Sequence, residues 1–247
     1  SFKIRIMKKI SKQFIGILFI AALFTSCSID IFNRVNGNRN VVIKERKPQD
    51  DFSGIKVSTG IDVFISQGNT NSITVEADEN LHDIIITEVV DGKLKIYTEK
   101  NIWKSAAKRV YLTVNTIEEL TASSGSTVIS ESVLKATNLD VSSSSGANLT
   151  IEVAATNLIS STSSGSSLSL SGKTTSYETN ASSGSSITAY KLVSEDFVAK
   201  VSSGASISVY ISSSIDGEAS IGLGIPFEGN HEKVTKKTSS GGKIYPR

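Results

Sequence analysis

The chain has 247 residues, of which 38% are hydrophobic, 20% are charged and only three are proline, a composition that excludes a disordered or collagen-like chain. The formal net charge is +2, but residues 1–26 hold five basic residues and no acid, so the remainder of the chain carries −3. This balance offers no electrostatic basis for binding nucleic acid, and we expect no nucleic-acid partner.

Residues 1–26 have the pattern of a bacterial lipoprotein signal peptide. A lysine-rich start precedes an apolar run from Ile15 to Phe24, which is too short to be a membrane-spanning helix. Cys27, the only cysteine, comes after this run and the two small residues Thr25 and Ser26, at the position where a lipoprotein is acylated. An ordinary secretory peptide with an incidental cysteine is the alternative. We expect a lipid anchor at Cys27 that attaches the protein to a membrane of the cell envelope, as an outer-membrane lipoprotein facing the periplasm or the exterior.

The next two segments are predicted to be a tether and a β region. Residues 27–50 are polar and suit a tether, although Val41-Val42-Ile43 within them suits a first strand. Residues 51–116 alternate apolar and polar side chains in several short runs, as half-buried strands do. Asp91-Gly92 lies between two of these runs, and both residues tolerate the positive φ of a tight hairpin turn. We predict an irregular N-terminal β cap here.

From residue 117 the chain repeats itself with a period of about 20 residues. Five glycines recur at intervals of 21, 19, 19 and 20 residues, and two serines precede each one. An aliphatic residue stands three places after every glycine, and a large apolar residue stands seven places before it in four of the five copies. The predicted corner residues are Ser124, Gly125, Ser145, Gly146, Ser164, Gly165, Ser183, Gly184, Ser203 and Gly204, and the aliphatic residues are Val128, Leu149, Leu168, Ile187 and Ile207.

An even period with matched apolar positions is typical of a solenoid and not of a flexible linker. Each repeat is predicted to form one turn of parallel strands, with Ser-Ser-Gly at a corner where glycine permits positive φ. The serines are expected to form a hydroxyl ladder between turns or to bond the turn backbone. The fold is therefore predicted to be all-β, with a parallel β-solenoid and C-terminal cap over 117–247, Ile221–Phe227 as a terminal rung and Ser239–Gly242 as a further partial turn.

The sequence shows no arrangement of residues that suits catalysis or metal binding. The acids between 120 and 217 do not share one repeat position, and the one adjacent pair, Glu195-Asp196, is expected in a solvated turn. The two histidines, His82 and His231, are far apart and lack the spacing of zinc ligands. The serines form no Gly-x-Ser-x-Gly motif. We expect no enzyme activity, no metal and no cofactor.

Aromatic side chains provide the candidate binding surface. Tyr190 and Tyr210 each stand six places after a glycine and are expected to stack in a column on one face, either as a structural ladder or as a ligand contact. Trp103, the only tryptophan, is interpreted either as an exposed contact or, preferably, as a plug at the end of the coil. With faces rich in Ser, Thr and Asn, these aromatic residues predict a glycan or a protein as ligand.

Three segments and the glycine-centred repeats resemble the auto-transporter adhesin head GIN domain family, whose members are often lipoproteins of Bacteroidetes. The segments are Ser58–Val63, Glu76–Leu81 and Asp91–Ile96, and the resemblance covers about 50–245. It implies a right-handed parallel β-helix. The family repeat resembles Ser-Gly-Gly-Ser-Asp, but here Thr, Asn or Ser stands two places after each glycine, so the acidic position is missing and a cation-binding role there loses its basis.

The predicted function is that of a lipid-anchored envelope protein with an adhesin-like binding surface and no enzyme activity. One alternative is a structural scaffold that self-associates into a homo-oligomer through an end of the solenoid. The other is a degenerate carbohydrate-active β-helix enzyme.

Overall fold

The computed structural model describes residues 34–220, 224–229 and 233–246, and the fold lies within the compact unit Val35–Arg247. Apart from a 3-10 turn at Glu79–Leu81, its regular elements are strands, and within these ranges no helix has the length and apolar character needed to cross a bilayer. The strands are β1 Arg34–Asn36, β2 Val41–Arg46, β3 Gly54–Val57, β4 Asp62–Gln67, β5 Ser72–Asp78, β6 Ile85–Val90, β7 Lys93–Thr98, β8 Asn101–Lys104, β9 Lys108–Val114, β10 Glu119–Ala122, β11 Thr127–Ser130, β12 Leu134–Ser143, β13 Asn148–Thr162, β14 Ser167–Ala181, β15 Ser186–Val201, β16 Ser206–Ser220, β17 Gly224–Glu228, β18 Lys233–Ser239 and β19 Lys243–Pro246.

Parallel strands stack along the solenoid in continuous ladders on either side of the corners. One ladder runs through β7, β3, β10 and the C-terminal halves of β12 to β16 and ends at β18. The other runs through β9, β4, β11 and the N-terminal halves of β13 to β16 and ends at β17 and β19. The predicted β-solenoid is therefore confirmed.

The aliphatic position after each corner forms one buried column along the interior. Equivalent residues are strand partners in successive rungs, as Leu149 and Leu168 are. The column is longer than the five repeats predicted, because β9 and β4 extend it at one end and β17 and β19 at the other. Its members, each at most 8% exposed, are Val110, Val63, Val128, Leu149, Leu168, Ile187, Ile207, Ile225 and Ile244.

The predicted border at residue 117 does not divide the sheet. Strands β3 and β4 pair in parallel with β10 and β11, and Thr59-Gly60 between them has positive φ at both residues, as the later corners do. Only the antiparallel pairings of β2 with β5, β5 with β9 and β6 with β7 form the N-terminal cap. Strand β2 confirms the predicted strand at 41–43, so the part of the predicted tether from Arg34 onward contains strands instead.

The solenoid continues beyond Ile221–Phe227, the segment predicted to be its terminal rung. Strand β17 pairs with β16 on one side and with β19 on the other, whereas residues 221–223 lie outside the described residues. Ser240 and Gly241 both have positive φ and form a corner between β18 and β19. The predicted partial turn at Ser239–Gly242 is thus a further rung.

Asp78 is the polar centre of the N-terminal cap. Its carboxylate is buried and accepts backbone N–H groups of Arg39 at 2.9 Å, Ala106 at 3.0 Å and Ala107 at 3.0 Å. Burial alone would raise the pKa of Asp78, but these hydrogen bonds outweigh it and lower the pKa. One side chain at the end of β5 therefore fixes both the loop before β2 and the loop after β8.

The loop before β2 is shaped to reach this carboxylate. A Cβ atom on Gly37 would lie 1.9 Å from Oδ2 of Asp78, so only glycine fits there. Asn80 accepts the N–H of Asn38 at 2.9 Å through Oδ1 and donates to the carbonyl oxygen of Asn36 at 2.8 Å. The chain is thus held tightly where it enters the fold. We call Asp78, Asn80 and the loop Gly37–Asn40 the entry clamp.

Arg46 ties the edge strand β2 to β6. Its guanidinium donates to the carbonyl oxygens of Ile85 at 2.6 Å and His82 at 2.8 Å, and to Thr87 Oγ1 at 3.1 Å. Nε2 of the buried His82 donates in turn to the carbonyl oxygen of Val42 at 3.0 Å. His82 therefore connects the 3-10 turn to β2 and stabilises the cap.

We expect Asp78→Ala to lower the free energy of unfolding by about 3 kcal/mol, because one buried and two partly buried N–H groups lose their acceptor. The folded-state pKa of Asp78 is lowered relative to the unfolded state. Its contribution is therefore present above the unfolded pKa and is lost as the pH falls through the folded value, below about pH 4. Urea unfolding of wild type and variant at pH 7 and at pH 3 measures both effects.

The exposed Asp50 provides the matched control for this prediction, and Asp50→Asn should leave the stability unchanged at both pH values. A variant at Asp78 that is as stable as wild type at pH 7 would contradict the role of the carboxylate. An equal loss at pH 7 and pH 3 would contradict the pH dependence.

Candidate functional site

The Ser-Ser-Gly corners form a ladder of tight turns held together by the backbone. At one corner, Ser164 and Gly165 have φ of 52° and 69°, and the N–H of Ser166 donates to the carbonyl oxygen of Ser163 at 3.1 Å, as in a type I′ turn. The N–H of Gly165 donates to the carbonyl oxygen of Ser183 in the next rung at 3.1 Å. Positive φ occurs at each predicted corner pair, namely Ser124 and Gly125, Ser145 and Gly146, Ser164 and Gly165, Ser183 and Gly184, and Ser203 and Gly204.

A hydroxyl network also links the rungs, but it involves different serines from those predicted. The buried Ser166, which follows the glycine, accepts a hydrogen bond from Ser143 Oγ at 2.9 Å and donates to the carbonyl oxygen of Ser143 at 3.0 Å. Thr162 Oγ1 and Ser185 Oγ lie 2.9 Å apart at the equivalent positions one rung later. In the flanking rungs both partners are alanine: Ala122 with Ala147, and Ala181 with Ala205. At these two positions, hydroxyl side chains therefore face each other in two successive rungs and alanines occupy both positions in the rungs on either side.

We expect Ser166→Ala to destabilise the fold by about 1–2 kcal/mol, because the hydroxyl of Ser143 loses its buried acceptor. Ser143→Ala should cost less, since Ser166 keeps its bond to the backbone carbonyl of residue 143. The double variant should recover most of the loss, because it recreates the alanine pair of neighbouring rungs. A double-mutant cycle by urea unfolding measures the coupling, and purely additive losses would contradict the pairing.

The three aromatic residues of the predicted binding surface do not form one site. Trp103 lies on β8 and is 56% exposed, so its interpretation as a plug is wrong and it is a surface side chain. Tyr190 and Tyr210 are half-buried and do not form the predicted column, because the register of β15 and β16 shifts after Ala189 and the partner of Tyr210 is Val193. The offset from the glycine could not reveal this irregularity.

Two further aromatic residues of the repeats lie in the core. Tyr177 and Phe197 are each 1% exposed, and their ring centroids are 5.3 Å apart. Burial raises the pKa of Tyr177 to about 12, against hydrogen bonds from Ser160 and Thr179 that lower it. The Tyr177 hydroxyl lies 2.9 Å from Ser160 Oγ, which lies 2.6 Å from Thr179 Oγ1. These side chains fill the interior and are not available to a ligand.

The candidate catalytic and anchoring residues are only partly described by the structure. Glu195 and Asp196 are both exposed, but they lie within β15 and not in a turn. The pairing of β15 with β16 shifts its register at this point. Within the ranges that the structure describes, no three His, Cys, Asp or Glu residues are grouped as metal ligands would be. Cys27 and His231 lie outside the described residues.

The described surface contains a groove of about 660 Å³ along the side of the solenoid away from the corners, lined by both polar and apolar residues. Lys135 on β12, Ala154 on β13 and Lys173 on β14 are strand partners, so a small residue separates two exposed lysines. Beside them, Asn157 Nδ2 donates to Asn138 Oδ1 at 2.8 Å. We call these five residues the lysine–asparagine groove.

The groove has the chemistry of an open ligand site. Its two lysines lie two strand spacings apart, which corresponds to about 10 Å between their Cα atoms. Each asparagine amide has more donors and acceptors than the single bond between them uses. Glu118 also lines the groove and accepts a hydrogen bond from Ser53 Oγ at 2.9 Å. The two lysines and Asn138 line the groove directly, and Asn157 joins them through its bond to Asn138.

Gly172 allows β13 and β14 to approach closely beside this groove. It has φ of 106°, and a Cβ atom there would lie 2.0 Å from the carbonyl oxygen of its strand partner Val153. A Cβ atom on the corner residue Gly165 would meet nothing within 4 Å. The two glycines are therefore required for different reasons, a close backbone contact at Gly172 and a positive φ alone at Gly165.

Gly165→Ala is expected to cost about 1 kcal/mol, which is the price of positive φ for a residue with a Cβ atom. Gly172→Ala should cost roughly 3 kcal/mol or more, because a clash with the backbone is added to the unfavourable φ. Urea unfolding of both variants measures the difference. Similar losses at the two positions would contradict a close approach of β13 and β14.

Sequence reasoning missed this groove, although a signal was present. The position eight places before each of the last four glycines holds Asn138, Asn157, Ser176 and Asp196, so a run of polar side chains follows the same repeat as the aliphatic column from the second copy onward. These amides are neither acidic nor aromatic, so they do not belong to the residue types that indicate catalysis or ring stacking. The lysines gave no such signal, because they occur in alternate rungs.

Comparison with known proteins agrees with this fold. Residues 51–230 match the sequence profile of the family described as putative auto-transporter adhesin, head GIN domain. A putative adhesin from Bacteroides fragilis has a solved structure with a TM-score of 0.80 and 17% identity, covering 86% of this chain and 100% of that one. No curated protein has a significantly similar sequence.

Two further solved structures are similar. A putative lipid binding protein from Parabacteroides distasonis has a TM-score of 0.67 and 20% identity, covering 87% of this chain and 99% of its own. A putative adhesin from Parabacteroides merdae has a TM-score of 0.65 and 19% identity over the same shares. At these identities the structures establish the fold alone, whereas the family profile matches well over half of the sequence. The chain therefore belongs to the auto-transporter adhesin head GIN domain family.

Proposed function

We propose that this chain is a lipid-anchored, non-enzymatic protein of the outer membrane whose lysine–asparagine groove binds an acidic glycan. Membership of an adhesin head family supports a binding role at the cell envelope. Acylation of Cys27 follows from the signal-like pattern that precedes it. The observation that carries the ligand class is the pairing of Lys135 and Lys173 across Ala154, next to the two asparagine amides.

The geometry of the groove favours a polymer with repeated negative charge. Two cations held about 10 Å apart by a rigid sheet match acidic groups on successive disaccharide units of an extended glycan. The exposed position of both lysines means that each contributes modestly by itself, and that affinity depends on several contacts along the rungs. The asparagine amides can bind sugar hydroxyls with both donors and acceptors.

A non-enzymatic role is proposed because the groove lacks the pair of carboxyl groups that glycoside hydrolysis requires. Glu118 is the acid that lines it, and Ser53 engages its side chain. Glu195 and Asp196 lie on β15, beyond the strands that contribute the groove lysines.

We expect intact cells that express the full chain to bind fluorescent polygalacturonate, an acidic glycan, more strongly than dextran, a neutral one. Lys135→Glu together with Lys173→Glu should abolish the difference, because the paired positive charges are reversed. The matched control is Lys200→Glu with Lys237→Glu, since these exposed lysines are also two strand spacings apart, on the sheet before the corners. Flow cytometry measures the bound glycan.

Three outcomes would count against this proposal. Binding by lysed cells but not by intact cells would contradict an adhesin role at the exterior. If both pairs of substitutions reduced glycan binding equally, binding would depend on the overall positive charge of the protein and not on the groove. Cleavage of polygalacturonate by the purified protein would contradict the absence of catalysis.

A further inference from the structure

The N-terminal end of the fold carries the only tryptophan of the chain on an exposed strand. On β8, Ile102 packs against the core, whereas Trp103 is 56% exposed. Lys100 and Lys104 on either side are exposed, and residues 99–108 contain three lysines and one acid. A tryptophan flanked by lysines is the combination that favours the boundary between lipid headgroups and acyl chains, where the ring is buried and the ammonium groups stay in water.

The chain enters the fold beside this strand. Strands β1 and β8 form a separate two-stranded sheet, and the N–H of Gly37 donates to the carbonyl oxygen of Lys104 at 2.7 Å. Cys27 precedes Arg34 by seven residues, so even a fully extended connection spans at most about 25 Å. An acylated Cys27 would therefore keep β8 close to the bilayer, and the entry clamp prevents the chain from lengthening this connection.

We propose that Lys100, Trp103 and Lys104 form a membrane-contact surface that rests the N-terminal end of the solenoid on an anionic bilayer. This inference rests on the lipid anchor of the proposed function. Charge complementarity favours lipid as the occupant, because each lysine near an anionic leaflet raises membrane affinity about fivefold. The anchor supplies proximity, and the surface adds a defined orientation.

In this orientation the solenoid points away from the membrane. Eight strand pairings lead from β9, near the membrane-contact surface, to β19 at the other end. At about 4.8 Å each, they span roughly 38 Å. The half-exposed Tyr245 on β19 therefore marks the end far from the membrane.

The test uses the fluorescence of Trp103, which reports on this site alone because the chain has no other tryptophan. The full acylated chain is bound to vesicles of phosphatidylethanolamine and phosphatidylglycerol, with or without bromine atoms in the upper part of the acyl chains. We expect a blue shift of the emission on both kinds of vesicle and a loss of intensity on the brominated ones. Lys100→Glu with Lys104→Glu should reduce this loss, although the acyl chains still hold the protein on the vesicle.

The matched control moves the tryptophan to the other end of the molecule. In Trp103→Phe with Tyr245→Trp, both positions keep an exposed aromatic side chain, so the fold is preserved. The emission of this variant should be unaffected by bromine although it floats with the vesicles equally well. Quenching at both ends would overturn the proposed orientation.

Two further outcomes separate this inference from the proposed function. If mass spectrometry shows acyl chains on Cys27 and the protein floats with vesicles, but bromine leaves the Trp103 emission unchanged, the membrane-contact surface is overturned and the lipid anchor stands. If Cys27 carries no acyl chain and the protein does not float, the anchor of the proposed function fails, and the inference that rests on it fails too.

Discussion

Parallel, in-register pairing of successive rungs is the constraint on which the rest of the structure depends. Where rungs stack in register at about 4.8 Å, a side chain lies above the equivalent residue of the previous rung, so the residue at each position must pack against a residue of the same kind. Aliphatic residues satisfy this by packing, as the column from Val110 to Ile244 shows. The corners satisfy it with the backbone, because the N–H of each corner glycine from Gly125 to Gly184 donates to a serine carbonyl of the next rung.

The same constraint explains how polar groups are accommodated in a narrow interior. A hydroxyl that lies inside the solenoid is separated from water, so it needs a partner within the protein. This partner is either a side chain of an adjacent rung or a backbone carbonyl of the same corner, as for Ser126 and Ser123. Ser143 with Ser166 and Thr162 with Ser185 meet this need in pairs, and the neighbouring rungs avoid it with alanine at both positions. Residues in different repeats are therefore coupled energetically. A single substitution is expected to be costly where a matched pair of substitutions is not.

Sequence periodicity predicted what in-register stacking determines and missed what departs from it. The glycine corners and the aliphatic positions follow the 20-residue period, so they could be read directly. Tyr190 and Tyr210 could not, because β15 has extra residues after Ala189 that change the partner of Tyr210. The place of Trp103 depends on β8, which belongs to a separate two-stranded sheet and follows no repeat. The groove depends on Ala154 being small between two lysines, and only the strand pairing brings these residues together.

The open sheet edges at the two ends of the solenoid are protected in different ways, so the two ends of the molecule are not equivalent. At the N-terminal end, antiparallel strands and the contacts of Arg46 and Asp78 close the cap. At the other end, β18 and β19 carry exposed lysines, which disfavour pairing with a further strand. Lys236 also lies 5.1 Å from the ring centroid of Phe227 and so covers part of the preceding rung. Stacking of copies end to end would bring an edge rich in lysine against a closed cap. Such ends suit a molecule that attaches at one end and presents its side faces to a ligand better than they suit a self-assembling scaffold.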